Sequence, residues 1–193
     1  MARNDKGLRL QCSGVVEVAV AVRSDVRRLG VEDARSFMSV RREALESDPL
    51  AFAASPADDG GLDPEFVRRS LANVSEQAVF GYFEGDRLRG IVGLVRGSKV
   101  KQRHSAMVWG MYVSAGVRRR GAGRALLDAA VDLARSWGVS QVQLAVTEAA
   151  SAAKRMYEAA GFKAWGRQPR ALGWQGRFVD EDHMVLDLRE PRG

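Results

Sequence analysis

Residues Val113-Ser-Ala-Gly-Val-Arg-Arg-Arg-Gly-Ala-Gly-Arg-Ala-Leu-Leu127 constrain the fold more than any other stretch of the chain. An apolar strand end gives way to a basic, glycine-containing turn, and small and apolar residues at helical spacing follow. A strand–turn–helix of this kind leaves the first N–H groups of the helix without partners and adds the partial positive charge of the helix start. Gly121 and Gly123 lack a Cβ, so backbone and ligand can approach closely. Arg118, Arg119 and Arg120 set full charges beside them. The stretch reads as a seat for a diphosphate, and a phosphate-bearing cofactor is expected there.

Three known patterns compete for that seat. A Walker-type loop requires Gly-x-x-x-x-Gly-Lys-Ser/Thr, and after Gly121 the chain has Ala122 and Gly123 instead. A dinucleotide fingerprint requires Gly-x-Gly-x-x-Gly or Ala. Leu126 fills its third slot, and Gln141 and Gln143 stand where a ribose-binding acid is expected. The third pattern, Arg-x-x-Gly-x-Gly, is met by Arg118, Gly121 and Gly123. It resembles the acyl-CoA turn of the GNAT superfamily of N-acetyltransferases. A second segment, Val146 to Phe162, resembles that family's later motif, a strand and then a helix ending in Tyr157-Glu-Ala-Ala-Gly-Phe162. The resemblance runs from about Val26 to Leu188 and is strongest from Trp109 to Phe162.

Periodicity supplies the elements in between. Strands are expected at Val26–Leu29, Ala78–Phe83, Arg87–Val95, Ser105–Val113, Gln141–Val146 and Val179–Leu188. Another begins at Lys163–Gly166 and continues irregularly to Trp174. Helices are expected at Val31–Glu46, at Asp63-Pro64 to about Leu71 with Asp63 as cap, at Gly121–Trp137 and at Ala150–Ala160. Val15–Val22 reads equally well as an extra strand or as part of a frayed tail, so residues 1–24 form an extension and 25–193 one domain. The order predicts an α/β (α+β) mixed sheet with helices on both faces. The resemblance implies a mostly antiparallel twisted sheet in which two parallel neighbours, ending near Val113 and Val146, splay apart around the pantetheine arm of CoA.

Size and composition exclude several classes. A chain of 193 residues with 46% apolar content can bury one sizeable core. No apolar run is long enough to span a bilayer, and Arg3, Lys6 and Arg9 precede no signal-like apolar stretch, so neither a membrane nor secretion is expected. The lone Cys12 allows no internal disulfide, and no Cys/His cluster points to a metal; a reducing cytoplasm is the expected setting. The net charge of +6 is compatible with nucleic acid, but the few aromatic residues do not interleave with the basic ones. A polyanionic cofactor accounts for the local charge, and no nucleic-acid partner is expected. Exposed sheet edges allow a homodimer.

The resemblance assigns roles to particular residues. It implies acetyl-CoA as co-substrate and a small-molecule or peptide amine as acceptor, attacked directly. Tyr157 matches the tyrosine that protonates the leaving sulfur; otherwise it is a core tyrosine. Met111 would polarise the thioester carbonyl through its N–H, and Tyr112 and Val113 would pair with the pantetheine. Arg118, Arg119, Arg120, Gly121, Ala122, Gly123 and Arg124 would bind the pyrophosphate, with at least one of the consecutive arginines turned to solvent. Ala150 replaces an asparagine common in the family, and Thr147 or Ser151 would have to compensate. No carboxylate lies on Ser105–Val113, so the general base falls to Asp180, Glu181, Asp182, His183 or water, with Glu84 and His104 weaker candidates. Arg42, Glu46, Asp48 and Phe52 are expected to wall the acceptor's approach. The missing asparagine and the open question of the base leave a rival, a non-catalytic acyl-CoA-binding regulatory module; a basic nucleic-acid binder ranks below both.

Overall fold

The computed structural model describes residues 25–73 and 75–189. The expectations for residues 1–24, including Cys12, fall outside that range. The described elements are β1 (Val26–Arg28), α1 (Ala34–Ser47), α2 (Pro64–Ala72), β2 (Gln77–Glu84), β3 (Arg87–Arg96), β4 (Ser105–Val113), α3 (Ala122–Ser136), β5 (Gln141–Thr147), α4 (Ser151–Ala159), β6 (Lys163–Trp174) and β7 (Arg177–Asp187). The strands form a seven-stranded sheet in the order β1-β2-β3-β4-β5-β7-β6. All neighbours are antiparallel except β4 and β5. No helix among the described residues is long and apolar enough to cross a membrane.

Alternation along the strands divides the core in two. On one face Val92, Leu94, Val108, Val142 and Leu144 pack under α3, through Leu126, Leu127 and Ala130, and under α4 through Tyr157. On the other face Val79, Leu88, Ile91 and Tyr112 pack under α1 and α2 through Phe37, Val40, Ala44 and Val67. Helices therefore cover both faces, as the sequence predicts. The start of α2 follows its expected chemistry: the Asp63 carboxylate accepts from the N–H groups of Glu65 and Phe66, each at 2.8 Å, with Pro64 at the first helical position.

Two departures from expectation lie in the C-terminal hairpin. β6 is one continuous strand to Trp174, with a register break between Gln168 and Leu172. Gln175 and Gly176 both have positive φ, at 48° and 78°, forming a two-residue turn whose twist matches the flanking strands.

Where β4 crosses β3 the ladder is kinked. Trp109 faces Gly93 and Tyr112 faces Ile91, so Gly110, at φ 63°, and Met111 form a bulge in which two residues stand opposite the single Val92. Gly93 is required because a Cβ there would fall inside the Trp109 indole. Gly93→Ala is expected to lower stability by about 1–3 kcal/mol, read as a reduced midpoint in thermal or urea unfolding.

Candidate active site

The basic turn folds as its composition predicts. After a tight 3-10 turn at Ala115–Val117, Arg119 takes φ 65° and Gly121, the N-cap of α3, takes φ 85°. The N–H groups of Arg119 to Arg124 have no hydrogen-bond acceptor among the described residues, although Ala122 itself is buried; the first bonded amide is Ala125, donating to the Gly121 carbonyl at 3.0 Å. Such a run of orphan donors at a helix start is an anion seat. Gly123 brings α3 close to its neighbours, since a Cβ there would lie 3.0 Å from Met156 Sδ and 3.7 Å from Val113 Cγ2. The turn, the end of β4 and helix α4 thus converge.

The arginines divide their work. Arg118 donates to the Val113 carbonyl at 2.7 Å and to Asp48 at 2.8 Å, and lies over the Tyr112 ring. Arg120 pairs with Glu84 at 3.1 Å and Arg124 with Asp128 at 2.7 Å. Arg119 is exposed and has no ion pair among the described residues. Asp48 and Glu84 are therefore partners of the turn's arginines.

Beyond the turn the sheet opens. β4 and β5 pair only at Ser105–Gln141, Ala106–Val142 and Met107–Gln143. From there β5 keeps its full ladder with β7 as far as Thr147–Glu181, while β4 stays with β3 as far as Val113–Gly90. The C-terminal halves of the two parallel strands consequently present unpaired inner edges to a wedge. Met111 and Val113 lie on one side of it, and Ala150, half-buried in the turn that precedes α4, follows the other.

Tyr157 is 5% exposed and packs against Phe162, ring centroids 5.9 Å apart. Burial pushes its hydroxyl far above the ordinary tyrosine value. The hydroxyl makes no hydrogen bond among the described residues. Yet among the described residues the only buried side-chain polar atoms without a hydrogen bond are Arg41 Nη1 and Arg89 Nε. The Tyr157 oxygen therefore keeps a path to open space. The Tyr112 side chain, in contrast, turns to the α1 face, where its hydroxyl meets Glu43 at 3.0 Å and Ser47 at 3.1 Å. The Tyr112 backbone is paired with Ile91 of β3, and its side chain is turned away from the wedge. Glu43 also accepts from Ser114 at 3.1 Å, joining α1 to the start of the basic turn. Sequence gave no sign of that role, because the link spans 71 residues.

Strand alternation separates the acidic cluster. Asp180 bonds Arg167 at 2.9 Å and the Arg170 N–H at 2.9 Å; the backbone bond first, then the guanidinium, holds its carboxyl below the ordinary range. Asp182, 6% exposed, is paired with Lys154 of α4 at 2.8 Å. Glu181 and His183 point to the opposite face, the α1 side, opposite Thr147 and Ala145 of β5. Glu181 has no ion pair or hydrogen bond among the described residues, and His183 lies against Trp165 at 5.5 Å. The Thr147 hydroxyl is already committed, donating to the Leu50 carbonyl at 2.8 Å, while Ser151 is exposed at the start of α4.

On the α1 side a cavity of about 340 Å³ lies between the end of α1 and β6, lined by Leu45, Leu50, Phe52, Pro56, Leu172 and Trp174 among others. Of the expected acceptor walls, Phe52 lines it. Arg42 and Glu46 pair with each other on the solvated face of α1, and Asp48 is held by Arg118.

Comparison with known proteins supplies the context for this geometry. The sequence model of the Acetyltransferase (GNAT) family matches residues 40–162. No curated protein sequence matches the chain. Among solved structures, a GNAT-family acetyltransferase from Streptococcus pneumoniae is 23% identical, with a TM-score of 0.73, over 84% of this chain and 98% of its own. A putative acetyltransferase from Salmonella typhimurium, solved with acetyl-CoA, is 20% identical, with a TM-score of 0.75, over 87% of this chain and 95% of its own. A phosphinothricin acetyltransferase from Sinorhizobium meliloti, also in complex with acetyl-CoA, is 20% identical, with a TM-score of 0.74, over 84% and 87%. At these identities the likeness is one of fold.

Proposed function

The chain belongs to the GNAT acetyltransferase family, and from that premise we propose that it transfers an acetyl group from acetyl-CoA to the primary amine of a small molecule or peptide by direct attack. The observation that carries the reading is the run of orphan amides at Arg119–Arg124 beside a wedge between β4 and β5. Similar folds solved with acetyl-CoA support the choice of co-substrate.

Each part of the site has a task. The amides of Arg119 to Arg124, with Arg119 and rearranged Arg120 and Arg124, hold the diphosphate; Ala122 and Gly123 keep the approach close. Val113 offers its N–H along the wedge, its carbonyl being held by Arg118, Tyr112 ties that segment to β3, and Ala150 offers only packing. The bound thioester supplies the activated acyl group. Met111 N–H, in the β4 bulge, points charge at the acyl oxygen. Tyr157 keeps its proton because it is buried, and gives it to the departing sulfur. The amine reaches the wedge from the α1 side and sheds its proton through water toward Glu181 and His183.

Two measurements test this together. Calorimetry should detect CoA binding, and thiol release with a panel of amines should find turnover, with mass spectrometry locating the acetyl group. Tight CoA binding with no turnover on any amine would favour the regulatory module instead. With an acceptor in hand, kcat/KM is expected to rise with pH as the amine loses its proton. No descending limb from Tyr157 should appear below about pH 10, because its pKa is raised and the proton stays on through that range. A fall in rate centred near pH 8 that disappears in Tyr157→Phe would contradict the assignment.

A further inference from the structure

The buried face of α1 is apolar except for Arg41, which is 8% exposed. Its Nε donates to Asp59 Oδ2 at 3.0 Å, and Nη2 pairs with the same oxygen. The guanidinium lies 5.0 Å from the centroid of the Phe52 ring. Nη1 is buried and has no hydrogen-bond partner among the described residues. A buried donor with unused hydrogens is costly, so an acceptor placed beside Nη1 gains a full hydrogen bond. Nη1 is directed at the bulge of β4, where a Cβ on Gly110 would stand 3.6 Å from it. Gly110 precedes Met111, whose amide faces the acyl oxygen in the reading above. Phe52 also lines the cavity between α1 and β6, so the same ring touches both the cavity and the guanidinium.

We infer that Arg41 Nη1 binds a neutral carbonyl oxygen next to the acceptor's amine, so that the preferred acceptors are amino-acid amides and peptide N-termini; this rests on the acetyl-transfer reading. Turning the Phe52 ring joins the cavity to the guanidinium. Charge decides which oxygen fits. The positive charge of Arg41 is already matched by Asp59, whose side chain is 6% exposed. A carboxylate would add a second negative charge to a closed space, and Phe52, Gly61 and Gly110, which also surround the guanidinium, carry no cation to meet it. A carbonyl accepts the hydrogen bond without that penalty. A plain alkyl amine leaves Nη1 unpaired, and a site built around a hydrogen bond discriminates against a ligand lacking it.

The test measures kcat/KM by thiol release for alaninamide, alanine and isopropylamine, with wild type, Arg41→Lys and Asp59→Asn. Rates are expressed per unprotonated amine, and selectivity ratios between variants are independent of amine basicity. Wild type is expected to prefer alaninamide over isopropylamine by roughly ten- to a hundredfold. Arg41→Lys keeps a cation for Asp59 but has a single nitrogen, which cannot pair with Asp59 and also stand where Nη1 does, and should bring that ratio close to one. Asp59→Asn leaves Arg41 uncompensated and should move the preference toward alanine. An equal fall on all three amines in Arg41→Lys marks a purely structural ion pair and overturns the inference, as does an unmoved preference in Asp59→Asn. Should a variant fail to fold, the wild-type order decides: isopropylamine matching alaninamide overturns it. No turnover of any amine by CoA-bound protein would sink the acetyl-transfer reading itself, and is thereby distinguished from a failure of Arg41 alone.

Discussion

Replacing Tyr157 by Phe is expected to lower kcat about a hundredfold while leaving CoA affinity within about twofold of wild type. Phenylalanine keeps the ring against Phe162 and the packing under α4, so stability should change little. What disappears is one hydroxyl that has no protein partner yet reaches open space. Its raised pKa guarantees that the proton is present, but also makes it a reluctant donor. A thiol ionises with a pKa of about 8.5, well below that of this tyrosine, so transfer to the departing sulfur runs uphill. The expected effect therefore lies at the lower end of the range for general-acid catalysis, about 10²–10⁴-fold. Steady-state thiol release and calorimetry on the same preparation check both halves of the expectation. Unchanged turnover would mean that the sulfur leaves as the free thiolate and that Tyr157 serves only the core.

The second large effect is expected at Gly121. Its φ of 85° is closed to a β-branched residue, and it caps α3. Gly121→Val has to unwind that conformation at a cost of about 1–3 kcal/mol, which rotates the neighbouring amides off their common target. CoA affinity should fall by roughly ten- to a hundredfold, read as a rise in Kd. Arg119→Ala is the control. Arg119 is exposed and makes no ion pair among the described residues, so its loss should weaken binding only a few-fold. The comparison separates fixed backbone donors from mobile charges. A larger loss in Arg119→Ala than in Gly121→Val would reverse the proposed division of labour.

The parts of the fold that could be read from sequence were those specified locally. Asp63-Pro64 states its own cap, and Val113 to Leu127 spells out strand, turn and helix. β6 was read only in part because it lies at the edge of the sheet. It carries Pro169, has positive φ at Arg170 and is exposed along most of its length, so no alternation marks it. The acidic run Asp180–His183 looked like one cluster because adjacency in sequence was mistaken for adjacency in space; a strand sends neighbours to opposite faces. Arg41 sits at helical spacing with the apolar residues of α1, and its neutralisation by Asp59 could not be foreseen across the 17 positions between them. Tyr157 and Met111 came only through resemblance to a family, since nothing in their local sequence separates a proton donor or an acyl-facing amide from ordinary packing.

The early end of the β4–β5 ladder has a consequence for how long the protein lasts. Three matched pairs are all the β4–β5 ladder holds, so beyond them the two half-sheets meet along a seam joined by the shared core under α3 rather than by backbone bonds. A molecule lodged along that seam splices them, and by mass action deepens the native well by about 2.7 kcal/mol at a hundred times its dissociation constant. Starvation for the co-substrate would then shorten the protein's survival against proteolysis, tying its abundance to the supply of the compound it consumes.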